Sequence, residues 1–508
     1  MGQRLIKMSR PFGRLWSCGD YSKLAILMGL SCITRIFISM GLHIYAHWVS
    51  DNPLYLLASK LRILDALDFH NRAIALVAGN QCRGEIFFSM FVASSQRDHW
   101  AVPLAAFYSF FGPQPWLASI FLCLCYAAIG FLAYGLARAL DQPPSRARWL
   151  ALLISIWPPS LIWSVLPLRD GPYMLAVFLF LTCLAWLNSP GRLGTFRTIA
   201  CALGLVVGSG VAYILKGYML WVLPFAAFSL LVVMLLRNLA ISPKASWLRI
   251  CAAPILVIVT LVVLNNFMYP ATPKANIALE TSQSPTQAPT GSAKPRSEQR
   301  PAPGPQTGLK APAPVEQSFS FQQIWKRLHQ KLNRAKEFLE YSRYLSLLEQ
   351  YPGYKGTGVS PSGDKGRFGL SSQSWGEIML QALKGFWNIF TFPKPWQKWP
   401  EQEEWGLLTA LVSALSAFWY FLLPGIWAGI LLKTWRCNAT GVLLLLWSAI
   451  LGLAMGWTMI NLGTIFRIRE IIILPMLAAF HPGIYIWLAA KTGLIAHPNL
   501  PAPPNGRI

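Results

Sequence analysis

In the stretch Trp157–Tyr173, WPPSLIWSVLPLRDGPY, Pro158 and Pro159 break an apolar run, and the charged pair Arg169–Asp170 precedes the next apolar run. An arginine or an aspartate costs roughly 2.5–3.5 kcal/mol at the centre of an inserted helix. Arg169 and Asp170 therefore need either the membrane surface or partners inside the protein. One interpretation is a surface turn that ends both helices. The other is a site for an anionic, lipid-linked molecule.

The composition is that of a membrane protein. Of 508 residues, 54% are hydrophobic and 13% charged, and 22 are tryptophan. A soluble domain cannot bury so much apolar surface, and several runs approach the roughly 20 residues that cross a bilayer. The net charge of +24 would indicate nucleic acid for a soluble chain, but basic cytoplasmic loops explain it here. Nine cysteines form neither a disulfide framework nor a metal-binding pattern.

The apolar runs predict an all-α polytopic membrane protein with about ten transmembrane helices. The predicted spans are 24–46, 117–140, 149–168, 172–187, 199–215, 219–236, 250–268, 405–432, 441–459 and 471–488. Lysine and arginine concentrate at the N-terminus and in alternate loops, which places both termini in the cytoplasm. Arg35 falls in the middle of the first span, so it must face protein or water, or reach the membrane surface.

This topology divides the chain into three parts. Residues 1–268 form an N-terminal membrane domain of seven spans with a long first external loop, 47–116. Residues 269–404 form a large external loop. It holds a Pro- and Ala-rich insert predicted to be disordered, 271–314, and amphipathic helices at 321–348 and 374–390. Residues 405–508 form a C-terminal membrane domain of three spans.

The first external loop carries a group of acids. Asp65, Asp68 and Arg72 are spaced so that they share one face of a short helix. They could be a solvated loop helix in which Asp65 is only the N-cap. Alternatively, one carboxylate is a general base near the membrane surface, where it deprotonates a hydroxyl group.

Cations occupy other corners that the topology places on the same external side. Arg467 and Arg469 precede the last span, and Lys216 lies between two spans. Arginine presents a planar fork that pairs with phosphate oxygens, although such residues also anchor helices at the interface. Together with Arg169 and the loop acids, they are what a lipid phosphate and an acceptor hydroxyl would need.

Five segments, in this order, resemble those of bacterial proteins related to GT-C glycosyltransferases, the polyprenyl-phosphate-sugar-dependent membrane enzymes. They are DALDFH at 65–70, PSLIWS at 159–164 with LRD at 168–170, YPGYKGTG at 351–358, FPKPW at 392–396 and NLGTIFRIR at 461–469. The chain departs from the group's pattern at Phe69, where a tyrosine is expected, and at Lys394. Lys216-Gly-Tyr218 replaces an expected Arg-Pro-Tyr.

The resemblance implies a GT-C-like arrangement with an external site and a first-loop aspartate as base. That base is Asp65, with Asp68 or Asp51 as rivals. The implied substrate-binding residues are His70, Arg169, Asp170, Lys216, Arg467 and Arg469. The implied partners are a polyprenyl-phosphate-linked sugar donor, a glycan or lipid acceptor, and membrane lipids, with a divalent metal ion in some members.

The implied location is the bacterial inner membrane. Other functions remain open: a polymerase or ligase acting on lipid-linked oligosaccharide, a lipid or solute transporter, or a scaffold that keeps the fold without catalysis. A transporter usually shows paired repeats and interrupted helices. The sequence shows no convincing repeat.

Overall fold

The computed structural model describes residues 18–60, 65–78, 98–189, 194–217, 219–241, 247–268, 375–391, 406–436, 438–458 and 469–491. Across these ranges the regular structure is α-helical and contains no β-strand, which confirms the predicted all-α class. The predicted insert 271–314, the helix 321–348 and Arg467 lie outside the described residues.

The N-terminal part contains helices of very different length. In chain order they are α1 Cys18–Val49, α2 Pro53–Lys60, α3 Asp65–Ala78, α4 Asp98–Phe111, α5 Pro115–Ala139, α6 Pro144–Ser155, α7 Pro158–Trp163, α8 Asp170–Leu187, α9 Thr195–Leu215, α10 Met219–Ile241 and α11 Trp247–Met268. The later helices are α12 Trp375–Thr391, α13 Gly406–Trp435, α14 Ala439–Thr458, α15 Glu470–Leu477 and α16 Gly483–Lys491.

Within the described residues, five helices are long and apolar enough to cross a membrane, as a multi-pass membrane protein requires. They are Tyr21–Val49, Pro115–Ala139, Asp170–Leu187, Thr195–Leu215 and Ala417–Trp435. Shorter apolar helices cover Trp100–Phe111, Met219–Leu235, Ala252–Asn265 and Ala439–Met455. The total of ten spans remains a prediction.

Two of the predicted spans are interrupted. The range 149–168 holds the end of α6, a break at 156–157 and the short helix α7. Pro158 and Pro159 lack backbone donors, and a residue before proline disfavours the α conformation, so the helix cannot continue through Trp157. The range 471–488 breaks between α15 and α16, where His481 and Pro482 follow one another.

Helix α8 lies at the centre of the N-terminal part and is buried on almost all of its faces. It packs against α5 on one side and α9 on the other. The approach to α9 is close because Gly208 has no side chain: a Cβ there would lie 2.9 Å from the Ala176 carbonyl oxygen. The first-loop helices α3 and α4 pack on each other.

Candidate functional site

The break at Trp157 is held in place by Arg35 of α1. Arg35 is only 1% exposed. Its Nε donates to the Ser155 carbonyl oxygen at 2.6 Å, and its Nη1 donates to the Ser160 carbonyl oxygen at 2.9 Å. Nη2 donates to Ser160 Oγ at 2.6 Å and Nη1 also reaches Ser164 Oγ at 3.2 Å. The arginine thus gives a donor to the Ser155 carbonyl oxygen, since Pro159, four residues on, has no N–H. It adds a second donor to the Ser160 carbonyl oxygen, which also accepts from the Ser164 N–H.

Further along α1, His43 holds the same segment at a second point. Its Nε2 lies 3.0 Å from the Val165 carbonyl oxygen, to which it donates. Ser119 of α5 donates to the same oxygen. Since Arg35 and His43 lie two turns apart on one helix, they fix the backbone from about 155 to 165 along α1.

The Arg169–Asp170 pair follows directly and forms the junction of three segments. The Arg169 guanidinium carbon lies 5.5 Å from the Phe69 ring centroid on α3. Its Nη1 donates to the Leu215 carbonyl oxygen at the end of α9, at 3.3 Å. Arg169 keeps intermediate exposure, while Asp170 is buried as the first residue of α8. We call Arg169, Phe69 and Leu215, with the residues adjoining them, the Arg169 corner.

Helix α3, which carries the predicted acids, reaches this corner through Phe69. Asp65 is its exposed first residue, four positions before Phe69, so the two share a face of the helix. Asp68 accepts a hydrogen bond from Arg72 Nε at 3.0 Å in a half-exposed pair. The predicted proximity of Asp68 and Arg72 is therefore confirmed. Because Arg72 already binds the Asp68 carboxylate, Asp68 is less suited to act as a general base.

His70 faces α4 instead of the Arg169 corner. Its Nδ1 lies 2.9 Å from the Tyr108 hydroxyl, and the two rings meet edge to face. Burial lowers the pKa of His70 and raises the pKa of Tyr108. The geometry gives His70 a packing contact that joins α3 to α4, and its predicted substrate contact stays a prediction.

Lys216 adjoins the Arg169 corner through its neighbour Leu215. The side chain is 4% exposed, and its ammonium nitrogen lies 5.9 Å from the ring centroid of Tyr173 on α8. A lysine held there adds positive charge behind Arg169. Asp51 is exposed between α1 and α2.

The start of α15 supplies two more buried charges. Arg469 is 4% and Glu470 is 2% exposed. Trp163 of α7 donates through Nε1 to Glu470 Oε1 at 3.3 Å. The Glu470 carboxyl also interacts electrostatically with Arg469, Asp170 and Arg35. The positive charges of Arg469 and Arg35 offset part of the cost of burying the Glu470 carboxyl.

Sequence analysis did not nominate Glu470, Trp163 or Tyr126 as members of this cluster. Tyr126 of α5 stacks under the Arg35 guanidinium, with 4.3 Å from the carbon to the ring centroid. The sequence does show an acid, Glu470, next to Arg469 at the start of an apolar run, which could have indicated a buried charge pair. Adjacent opposite charges are also typical of a surface turn, however. Among the residues that the structure describes, no three His, Cys, Asp or Glu side chains are gathered as metal ligands would be.

No family model, curated protein or solved structure matches this chain. The arrangement itself offers an exposed carboxylate on α3, a partly exposed guanidinium that contacts the same helix through Phe69, and two buried cations, Lys216 and Arg469. Such a set can bind a phosphate through charge-assisted hydrogen bonds and take a proton from a hydroxyl group close by.

Proposed function

We propose that this chain is a membrane glycosyltransferase that moves a sugar from a polyprenyl-phosphate donor to a glycan, lipid or other acceptor. The observation that supports it most is the Arg169 corner, where α3, the start of α8 and the end of α9 meet. These segments lie far apart in sequence, and each was nominated for the site from its residues alone.

The roles follow from exposure. Arg169 is the cation that a donor phosphate can reach, and its planar fork suits phosphate oxygens. Lys216 and Arg469 are buried and add positive potential behind it, while Asp170 orients Arg169. Asp65, exposed on the face that Phe69 shares, is the base that takes the acceptor's proton.

The proposed setting is the inner membrane of a bacterium, with about ten spans in a GT-C-like arrangement and both termini in the cytoplasm. The distribution of lysine and arginine among the loops supports this orientation. Reporter fusions after residues 60, 189 and 436 test it. The orientation requires the first fusion to report the external side and the other two the cytoplasm.

The catalytic assignment is tested with Asp65→Asn. We expect transfer from a panel of radiolabelled polyprenyl-phosphate sugars to fall by about 10²–10⁴-fold, the usual contribution of a general base. Binding of polyprenyl phosphate itself should be unchanged. Asp51→Asn is the parallel test of the rival base, since it removes another exposed carboxylate of the same loop, and it should keep transfer. Full transfer by Asp65→Asn would refute the assignment.

Arg169→Gln tests the donor site separately. Losing a charge-assisted hydrogen bond of about 1.5–3 kcal/mol should weaken polyprenyl-phosphate binding by roughly 10–150-fold. An unchanged dissociation constant would exclude Arg169 from the phosphate site, whatever the behaviour of Asp65.

One observation favours a second candidate, a lipid transporter. Each of two predicted spans is interrupted, as α6–α7 and as α15–α16, and α15 contacts α6 and α7 beside the buried Glu470; transporters use broken helices in this way. Translocation of a fluorescent polyprenyl phosphate in proteoliposomes discriminates the two. Translocation that persists in Asp65→Asn, with no transfer by the wild type, would support transport.

A further inference from the structure

A cavity of about 240 Å³ lies where α1 begins and where α5 and α8 end. Its lining comes from three helices and is almost wholly apolar. Its lining includes Tyr21, Phe131, Arg138 and Trp186. A space of this size is below the roughly 300 Å³ that encloses a whole drug-sized ligand, but it suits part of a hydrocarbon chain.

Arg138 is the one charged side chain of this lining, and it is not fully satisfied. It lies in the last turn of α5. One of its terminal nitrogens donates to the Gln142 carbonyl oxygen. Its Nε is buried and has no hydrogen-bond acceptor among the described residues. A buried donor without an acceptor is unfavourable, so an anionic oxygen at this point would relieve it.

The position of the cavity matches a membrane–water interface. Tyr21 is the first residue of one candidate span, while Arg138 and Trp186 each lie one residue before the end of another. Tyrosine and tryptophan are enriched at that depth, and basic residues lie just beyond it. An occupant would therefore have its tail among apolar side chains and its negative charge at the surface.

We propose that this cavity binds one acyl chain of an anionic glycerophospholipid whose phosphate pairs with Arg138. This site differs from the donor site proposed above. Asp170 begins α8 and Trp186 lies near its other end; sixteen residues of helix separate them by about 24 Å. A polyprenyl-phosphate donor at the Arg169 corner is thus at the opposite membrane surface, and the occupant here is a lipid of the surrounding leaflet.

The purified full-length chain tests this proposal in detergent by native mass spectrometry. The probes are phosphatidylglycerol and phosphatidylcholine with identical acyl chains, and polyprenyl phosphate. Arg138→Gln removes the charge but keeps most of the side-chain volume. Arg197→Gln is the matched control, because Arg197 is an exposed arginine near the start of α9 that does not line the cavity. Phe131→Ala truncates a half-exposed wall residue without loss of charge.

We expect wild type and Arg197→Gln to retain phosphatidylglycerol at least about ten-fold more tightly than phosphatidylcholine, the factor given by about 1.4 kcal/mol. Arg138→Gln should lose this preference, and Phe131→Ala should weaken both lipids by similar factors. Three results would each overturn the proposal: equal retention of both phospholipids by the wild type, an unchanged preference in Arg138→Gln, or polyprenyl phosphate displacing phosphatidylglycerol stoichiometrically. Should Arg138→Gln fail to fold, the wild-type preference and Phe131→Ala still decide the matter.

Discussion

Replacing Arg35 by alanine should destabilise the protein strongly, although the residue lies far along the chain from any proposed site residue. Arg35 makes four hydrogen bonds to the segment 155–164 and stacks on Tyr126. Hydrogen bonds to a charged group contribute about 1.5–3 kcal/mol each. Their sum overstates the effect, because the guanidinium also loses its water on burial.

A net loss of about 3–5 kcal/mol is the magnitude seen when one partner of a buried charged pair is removed. Without Arg35, the buried Ser155 carbonyl oxygen would lose its side-chain donor, and the buried Glu470 carboxyl would lose one of the positive charges that act on it. Arg35→Lys keeps the charge but offers a single nitrogen, so its loss should be intermediate.

The assay is reversible unfolding in mixed micelles of increasing SDS fraction, followed by circular dichroism. Thr34→Ala is the control, since Thr34 is exposed on the same helix and its hydroxyl donates to the Leu30 carbonyl oxygen of its own turn. That change should stay within about 0.5 kcal/mol of wild type. An Arg35→Ala protein within about 1 kcal/mol of Thr34→Ala would refute the anchoring role.

Two further predictions concern packing and pH. Gly429→Ala should cost at least about 1–3 kcal/mol of unfolding free energy, because the new Cβ would lie 1.8 Å from the Ala479 carbonyl oxygen; Gly29→Ala, with nothing within 4 Å, should be neutral or stabilising. Equal losses of unfolding free energy in Gly429→Ala and Gly29→Ala would contradict this packing argument. Because burial lowers the pKa of His70, the unfolded chain takes up a proton at about pH 6.5, before the folded chain does. The free energy of unfolding should therefore be highest above that pH and fall on acidification until the folded chain is protonated too. His70→Gln should flatten its pH dependence between pH 5 and 7. An unchanged slope would exclude His70 as the source of this pH dependence.

The helices of the N-terminal part could be predicted from hydropathy because apolar length is a local property. The predicted spans 172–187 and 199–215 correspond to α8 Asp170–Leu187 and α9 Thr195–Leu215. The interruption of 149–168 was harder to foresee, although Pro158 and Pro159 were visible. Averaged hydropathy counts apolar side chains and takes no account of missing backbone donors, so it continues a span through a broken helix.

The candidate site was predictable only in part, for a different reason. Arg169 and Lys216 were nominated as outward-facing cations, and their segments do meet through the Leu215 carbonyl oxygen. Glu470 was missed because an acid beside an arginine at a helix start has the same local pattern whether it is exposed or buried. Its burial depends on Trp163, about 300 residues earlier in the chain, and no local pattern carries that information.

The two interpretations of Trp157–Tyr173, a turn or a site, are compatible, because a rigid turn would position the proposed cation. A cation that binds phosphate productively must be held to within about 0.5 Å, and such precision comes from rigid supports. Arg35, His43 and Glu470 fix the segment before Arg169 from two sides, through Ser155, Val165 and Trp163, while Arg169 itself keeps exposure. Arg35→Lys should therefore lower polyprenyl-phosphate affinity even in the fraction of protein that remains folded, which a simple turn at the membrane surface would not explain.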